Sequence, residues 1–344
     1  MTLQDLGVTV GSLPSGSKGS ICDVPGVKVG HVTLNNERFH TGVTVVLPGV
    51  ENPFLHKPPA GVCVYNGFGK TTGLMQLQEL GRIETPIALT GTLNVGKVHD
   101  ALVGWTLQKC AADGHPDVRS INPVVCECND GTLSDIRSRP IGETEVLEAL
   151  ANASDHCAEG CVGAGAGMIC HDLKGGIGTA SRTMEFGGRT YTLGVLAQTN
   201  HGSLKDLTIG GRLVGPRLAE LAGRHEPDKG SCIMLVATDL PLDARQLARV
   251  AKRCSVGLAR LGSYIGHGSG EVFLAFSTAN LYEALDKTPV VPSLSFREDD
   301  IDVPFRAAAE CAEEAILRAM LAAETTVGWQ GTMIYALSEL WGKI

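Results

Sequence analysis

Three polar stretches at the ends of apolar runs hold the residue types of an acyl-transfer site. The first is Gly230-Ser231, which precedes the strand-length run Cys232-Ile233-Met234-Leu235-Val236-Ala237. A glycine at such a junction admits backbone conformations that other residues resist and leaves its carbonyl open to attack. If the Ser231 hydroxyl attacks the Gly230 carbonyl, the amide becomes an ester and water splits the chain. Ser231 is then a new N-terminus. Its α-amine, with a reference pKa of about 7.7–8.0, is a fair general base near neutral pH, so one residue supplies both nucleophile and base. Asn200 ends a second apolar run, and its amide can donate to a developing oxyanion. Ser269-Gly270-Glu271 begins a third run and offers a hydroxyl and a carboxylate to orient the amine and carry protons. Each stretch also has a plainer reading as turn or strand-start sequence.

Other motifs fall short of their chemistry. Gly69-Lys70-Thr71 resembles the end of a phosphate-binding loop, but Val64 stands where that motif needs a glycine. Gly163-Ala164-Gly165-Ala166-Gly167-Met168 lacks the last glycine of a dinucleotide fingerprint. The 11 cysteines are odd in number and scattered, as small buried hydrophobes are. Cys157, Cys161 and the pair Cys170-His171 come nearest to a ligand set. No second CxxC and no HExxH accompanies them, so neither metal nor cofactor is expected.

The 344 residues suffice for one large domain or two ordinary ones. A net charge of −8, with no basic aromatic strip, argues against nucleic acid. The N-terminus lacks the pattern of a signal peptide, and no apolar span reaches membrane length. Reduced thiols and a cytoplasmic location are the expectation.

The elements that must position these residues follow from pattern. Ile21 to Val32 reads as strand, Pro-Gly turn and strand. Strands are expected at Thr41 to Leu47, Ala60 to Tyr65, Thr85 to Leu89, Asn122 to Cys128, Tyr191 to Asn200, Cys232 to Ala237 and Glu271 to Phe276. Helices are expected to Leu80, over Asn94 to Ala112, over Thr144 to Cys157 with Thr144 as cap, and near Pro216 to Leu221. Asp243 caps a helix that Gly262 stops. Further helices cover Asp302 to Ala323 and Gly331 to Leu340. Tight turns are expected from Gly160 to Gly178, and residues 7–20 read as an irregular arm. Strands that are apolar throughout need cover on both faces, which two stacked sheets with helices outside would give. The polar connection 201–230 is the best candidate for a break in the chain.

Several segments together resemble the self-processing serine aminopeptidases, the P1-type peptidases that include L-aminopeptidase/D-esterase and β-peptidyl aminopeptidases. They are Asp23-Val24-Pro25-Gly26-Val27-Lys28-Val29-Gly30-His31, Asn66-Gly67-Phe68-Gly69, Lys174 to Arg182, Gly194 to Asn200, Gly230-Ser231 with Ala237 to Leu242, and Ser269-Gly270-Glu271. The likeness covers nearly the whole chain. It implies a four-layer αββα sandwich of the N-terminal-nucleophile-hydrolase type, shared with ornithine acetyltransferase. It implies a single catalytic domain, cut between Gly230 and Ser231 into an α chain, 1–230, and a β chain, 231–344. By the same likeness Ser231 is the nucleophile, Asn200 an oxyanion donor, and Ser269 and Glu271 the partners of the Ser231 amine. Glu127 matches an acidic residue that holds the substrate's free amino group. The substrates implied are short peptides, amides or esters, and the assembly a homo-oligomer of αβ units.

The chain also departs from the pattern. Neither Asn129 nor Thr132 is the Tyr that completes the oxyanion hole in some members, Lys70 stands where several carry Glu, and Gly91 where Asn is frequent. The expected activity is metal-independent removal of N-terminal residues through an acyl-Ser231 ester. Transfer of the acyl group to an amine, or a non-processing relative that binds or assembles, are the alternatives.

Overall fold

The computed structural model describes residues 1–223 and 230–344, so the polar approach at 225–229 lies outside the described residues. Nine strands build two sheets. One takes β1 (Val27–Asn35), β2 (His40–Pro48), β4 (Ile87–Gly91) and β5 (Val124–Cys128) in the order β1-β2-β4-β5. The other takes β3 (Ala60–Gly67), β6 (Ile177–Phe186), β7 (Arg189–Asn200), β8 (Gly230–Thr238) and β9 (Ser269–Ser277) in the order β3-β9-β8-β7-β6. The central strand β8 runs antiparallel to β7 and parallel to β9.

Burial on both faces explains why β8 and β9 read as unbroken apolar runs. Ile233, Leu235 and Ala237 point to the other sheet and meet Val29, Val46, Leu89 and Cys126. Met234 and Val236 point outward beneath α5 (Ala244–Lys252), α6 (Cys254–Arg260) and α7 (Asp302–Ala322), where Leu247, Val250, Leu258 and Ala312 cover them. On the opposite outer face α2 (Val95–Ala112) and α3 (Glu143–Ala151) lay Val98, Leu102 and Val146 over Val43, Val45 and Val125. The order helix, sheet, sheet, helix is the four-layer sandwich expected. The abundance of glycine fits it. A Cβ on Gly61 would stand 2.3 Å from the Ala244 carbonyl oxygen, and one on Gly178 1.9 Å from that of Ala315. Strands bare of side chains let α5 and α7 sit directly on the sheet.

Several local expectations change. Ile21–Asp23 is a 3-10 turn capped by Ser20, not a strand, because its backbone N–H groups are met by side chains: Thr179 Oγ1 accepts from Ile21 and Ser20 Oγ from Cys22. Helix α3 ends at Ala151 and starts after Gly142, whose N–H donates to Glu145 Oε2, so Thr144 is not the cap. The helix expected from Asp243 to Gly262 is broken into α5 and α6 at Arg253. Gly331 to Leu340 holds only the short helix α8 (Leu337–Trp341), preceded by an extended pair at Met333–Ile334. The long edge strand β6 follows the glycine-dense run and was not expected; its alternation is hidden by Gly178, Thr179, Ser181 and Arg182, which are all buried.

Arg182 explains that burial. Its guanidinium donates to Glu310 Oε2 at 3.0 Å and to the Val10 carbonyl at 2.7 Å, and pairs with Glu314 at 2.8 Å. Glu310 in turn accepts from the N–H groups of Ser12 and Leu13. The irregular arm at 7–20 is therefore held to α7 and β6 by a buried ionic cluster. Removing one partner of such a cluster leaves the other charges uncompensated, at about 3–5 kcal/mol. Glu310→Ala should lose about that much in denaturant-unfolding free energy, and limited proteolysis should then cut within the arm. Unchanged stability would mean that the arm is not held through this cluster.

Candidate active site

Strand register sets the four residues singled out at strand ends on three adjacent strands, the Asn200 and Ser231 side chains on one face and those of Ser269 and Glu271, opposite Gly230 and Cys232, on the other. In the antiparallel pair β7–β8, Asn200 lies opposite Ser231. In the parallel pair β8–β9, Gly230 lies opposite Ser269 and Ser231 opposite Gly270. Gly230 has φ +123°, a conformation open to glycine, and a Cβ there would sit 1.9 Å from the Asn200 carbonyl oxygen. The glycine before Ser231 is thus required on two counts, by dihedral and by space.

Ser269 and Glu271 project from the same side of β9, flanking Gly270, and both are fully buried. The Ser269 hydroxyl donates to Glu271 Oε1. Their carboxylate–hydroxyl pair stands one strand away from Ser231. On the other side, Asn200 Oδ1 accepts from the Ile169 N–H at 2.9 Å, and its Nδ2 donates to the Asn129 carbonyl at 3.2 Å. That sets the amide with its NH2 beside the Gly230–Ser231 junction, where a Cβ on Gly230 would stand 3.2 Å from Nδ2. From the opposite sheet, the Cys128 thiol donates to the Ser231 carbonyl at 3.4 Å, beneath the nucleophile. Burial raises the pKa of that thiol, which keeps it a neutral donor.

Glu127, on β5 between Cys126 and Cys128, belongs to the other sheet and is 2% exposed. Its Oε1 accepts from the Lys70 N–H at 2.8 Å and its Oε2 from the Thr92 hydroxyl. A carboxylate has about four lone-pair sites, so these two donors orient it without saturating it. The turn after β3 makes the connection between sheets. Gly67 pairs with Gly270 beside Ser231, and three residues later Lys70 holds Glu127. The closeness of this turn explains Gly270, since a Cβ there would stand 3.0 Å from the Gly69 nitrogen.

The departures find physical places. Asn129 is exposed and turns its Oδ1 to the Gly131 N–H at 2.9 Å, while its carbonyl engages Asn200. The space over Gly91 is filled by Asp130, whose Oδ2 would lie 2.4 Å from a Cβ at that position. Asp130 accepts from the Thr41 hydroxyl, and burial pushes its pKa up to about 6. The Lys70 ammonium lies 4.5 Å from the Phe68 ring centroid and donates to the Phe68 carbonyl, at the rim beside Glu127.

The cysteines considered as ligands do not assemble as a set. Cys161 meets the Glu324 backbone N–H, whereas ligand atoms of Cys170 and His171 lie within 4.8 Å of one another and of a ring nitrogen of His201. His201 stands apart from the other two in the sequence and has no ligand spacing with them. Ile169, Thr92, Cys128 and the Asn129 carbonyl were also missed as site contacts. They are distant in sequence from Ser231, and a backbone group that positions a side chain leaves no residue-type signal.

The description of peptidase family S58 matches residues 19–334. The chain is similar to the beta-peptidyl aminopeptidase BapA of Sphingosinicella microcystinivorans, with 38% identity over 97% of this chain and 89% of that protein. Among solved structures it is similar to the PH0078 protein of Pyrococcus horikoshii, at 44% identity and a TM-score of 0.93 over 99% of this chain and 97% of that one. It is also similar to the L-aminopeptidase D-Ala-esterase/amidase of Ochrobactrum anthropi, described as a prototype for the serine aminopeptidases and a variant among the Ntn hydrolase fold. That match has 36% identity and a TM-score of 0.89 over 97% of this chain and 94% of that one. Whole-chain likeness in sequence and in fold together place this protein in peptidase family S58, as a serine aminopeptidase.

Proposed function

We propose that the protein cuts itself between Gly230 and Ser231 and then, as an α chain 1–230 and a β chain 231–344, removes N-terminal residues from short peptides, amides or esters. The observation that carries this reading is the junction itself: a glycine at φ +123° directly before a serine, held between Asn200 and Ser269. In the first reaction Ser231 Oγ attacks the Gly230 carbonyl carbon, and the C–N bond breaks as the acyl group passes to oxygen. Water then hydrolyses the ester, leaving a Gly230 carboxylate and a Ser231 amine.

In turnover the freed amine takes the Ser231 hydroxyl proton as the oxygen attacks the substrate carbonyl. Asn200 Nδ2 donates to the tetrahedral oxyanion. Collapse breaks the substrate C–N bond, and the Ser231 ammonium gives its proton to the leaving amine. Water repeats the sequence on the acyl-serine. Ser269 and Glu271 hold the amine in place, and a carboxylate beside it favours its ammonium form while the proton is in transit. Glu127 accepts from the substrate's own ammonium, which restricts attack to the first residue of the chain. The cycle uses neither metal nor cofactor.

A cytoplasmic homo-oligomer of αβ units completes the proposal. The net charge of −8 and the lack, among the described residues, of a helix long and apolar enough to cross a membrane fit that location. Tyr65, Phe68, Met75 and Leu80 are exposed around edge strand β3 and the helix after it, a patch of the kind subunit contacts cover.

Intact-mass measurement of the purified protein should return two fragments that meet at Gly230 and Ser231, and Ser231→Ala should return one inactive chain. A fully active, uncut wild type would end this reading. Glu127→Gln should lower kcat/KM toward free-amine substrates by about 10- to 100-fold, the worth of a hydrogen bond to a charged group. The same variant should cut itself at the wild-type rate; a loss of self-cleavage instead would move Glu127 from substrate binding to the junction.

A further inference from the structure

Lys174 is a buried cation that the reaction above does not use. It is fully buried, and its ammonium donates to the carbonyls of Gly165, Met168 and Gly175 at 3.3, 3.0 and 2.8 Å. The ionisable groups that face it are the thiols of Cys161 and Cys170 and the His40 ring. An ammonium held by carbonyl dipoles, with the Cys161 side chain as a further partner, is a costly way to fill space, and a methionine of similar length would fill it without desolvating a charge. What the cation adds is convergence: it draws three carbonyls from a tight loop onto one point.

That loop touches Asn200 with one arm and its neighbour Thr199 with the other. Beyond Met168, the Ile169 N–H donates to Asn200 Oδ1 at 2.9 Å. Beyond Gly175, the Gly176 N–H donates to Thr199 Oγ1 at 3.1 Å, and the Gly176 carbonyl accepts from the Thr199 N–H at 3.0 Å. The two arms are tied to each other where the Gly175 N–H donates to the Met168 carbonyl at 2.9 Å. Gly175 lies so close to β7 that a Cβ on it would stand 2.5 Å from the Thr199 carbonyl oxygen. The contact of Ile169 with Oδ1, together with that of the Asn129 carbonyl with Nδ2, decides which way the Asn200 amide faces. Were the amide flipped, its NH2 would meet the Ile169 N–H, donor against donor. With Ile169 in place, the NH2 is turned to the Gly230–Ser231 junction.

We infer that Lys174 is a positioning residue for catalysis. Its ammonium fixes the loop 165–176 so that Ile169 keeps the Asn200 amide turned with Nδ2 toward the oxyanion. This rests on the oxyanion role of Asn200 proposed above. Loosening the loop misdirects a donor that acts only in the transition state, so the loss falls on kcat and not on KM.

The test is a double-mutant cycle on the full-length protein. Lys174→Met, Asn200→Ala and the double variant are compared with wild type in kcat and KM on an aminoacyl p-nitroanilide, with rates normalised to the processed fraction read by intact mass. Where a variant remains uncut, the cycle is read on its rate of chain cleavage, which passes through the same kind of tetrahedral oxyanion. Lys174→Met should lower kcat by about 10- to 100-fold, with KM within about twofold, since a removed oxyanion donor costs roughly 100- to 1,000-fold. In the Asn200→Ala background the same change should cost less than about twofold, because the group it positions is gone. Lys174→Gln, which keeps two N–H donors, should fall between Lys174→Met and wild type and carries the cycle if Lys174→Met does not fold. Losses that multiply in the double variant, or a lowered melting temperature with kcat unchanged, would overturn the positioning role. An Asn200→Ala enzyme with wild-type kcat would instead remove the oxyanion role itself.

Discussion

The site rests on the pairing of β8 with its two neighbours. Backbone hydrogen bonds fix which residues stand abreast, and in this register Asn200, Ser231 and Gly270 share one line across the sheet. Because side chains alternate along a strand, a slip of one residue would turn Ser231 to the opposite face and exchange the two apolar faces of β8. Both faces are packed, by the second sheet on one side and by α5, α6 and α7 on the other. The hydrophobic core therefore sets the register, and the register sets the chemistry. Gly230 is the point where that constraint meets the backbone, since its φ of +123° and its contact with the Asn200 carbonyl exclude any side chain.

A second constraint joins the two sheets. Ser231, the proposed nucleophile, belongs to the five-stranded sheet, whereas Glu127 belongs to the four-stranded one. The turn Asn66-Gly67-Phe68-Gly69-Lys70 touches both, pairing Gly67 with Gly270 and donating from Lys70 to Glu127. It is anchored again where Asn66 Nδ2 donates to the Gly266 carbonyl at 2.8 Å. The separation between Ser231 and Glu127, the proposed sites of bond-breaking and amine recognition, is thus fixed by a few contacts of this turn. In an aminopeptidase that separation decides how many atoms can lie between the free amine and the scissile carbonyl.

Much of this was legible before any coordinates. Continuous apolar runs marked β7, β8 and β9, and polar residues at their ends marked Asn200, Ser231, Ser269 and Glu271. The layers followed from strands apolar on both faces. What stayed hidden were features whose signal is not carried by residue type in a local window. β6 escaped because its buried residues include Thr179, Ser181 and Arg182, satisfied by partners far away in the chain. The contact of Ile169 with Asn200 uses a backbone N–H, which any residue but proline supplies. The residue type of Lys174 carries no signal of burial, and the three carbonyls around it show how it lies inside. The break at Arg253 likewise has no breaker in the sequence, for the apolar stripe continues from Val250 to Cys254 and Leu258 on both helices.

The place of β8 in the middle of its sheet has a further consequence for a chain cut at Gly230. The segment from Ser231 onward contributes two of the five strands in that sheet and none of the four in the other. Alone it would present an apolar surface with nothing to stack against. Its partner without it would keep β3 apart from β7 and β6, a sheet with its centre missing. The proposed scission at this point would therefore make two polypeptides that share one core, and it would follow folding, since the strands on both sides of the cut must pair before the sheet is complete.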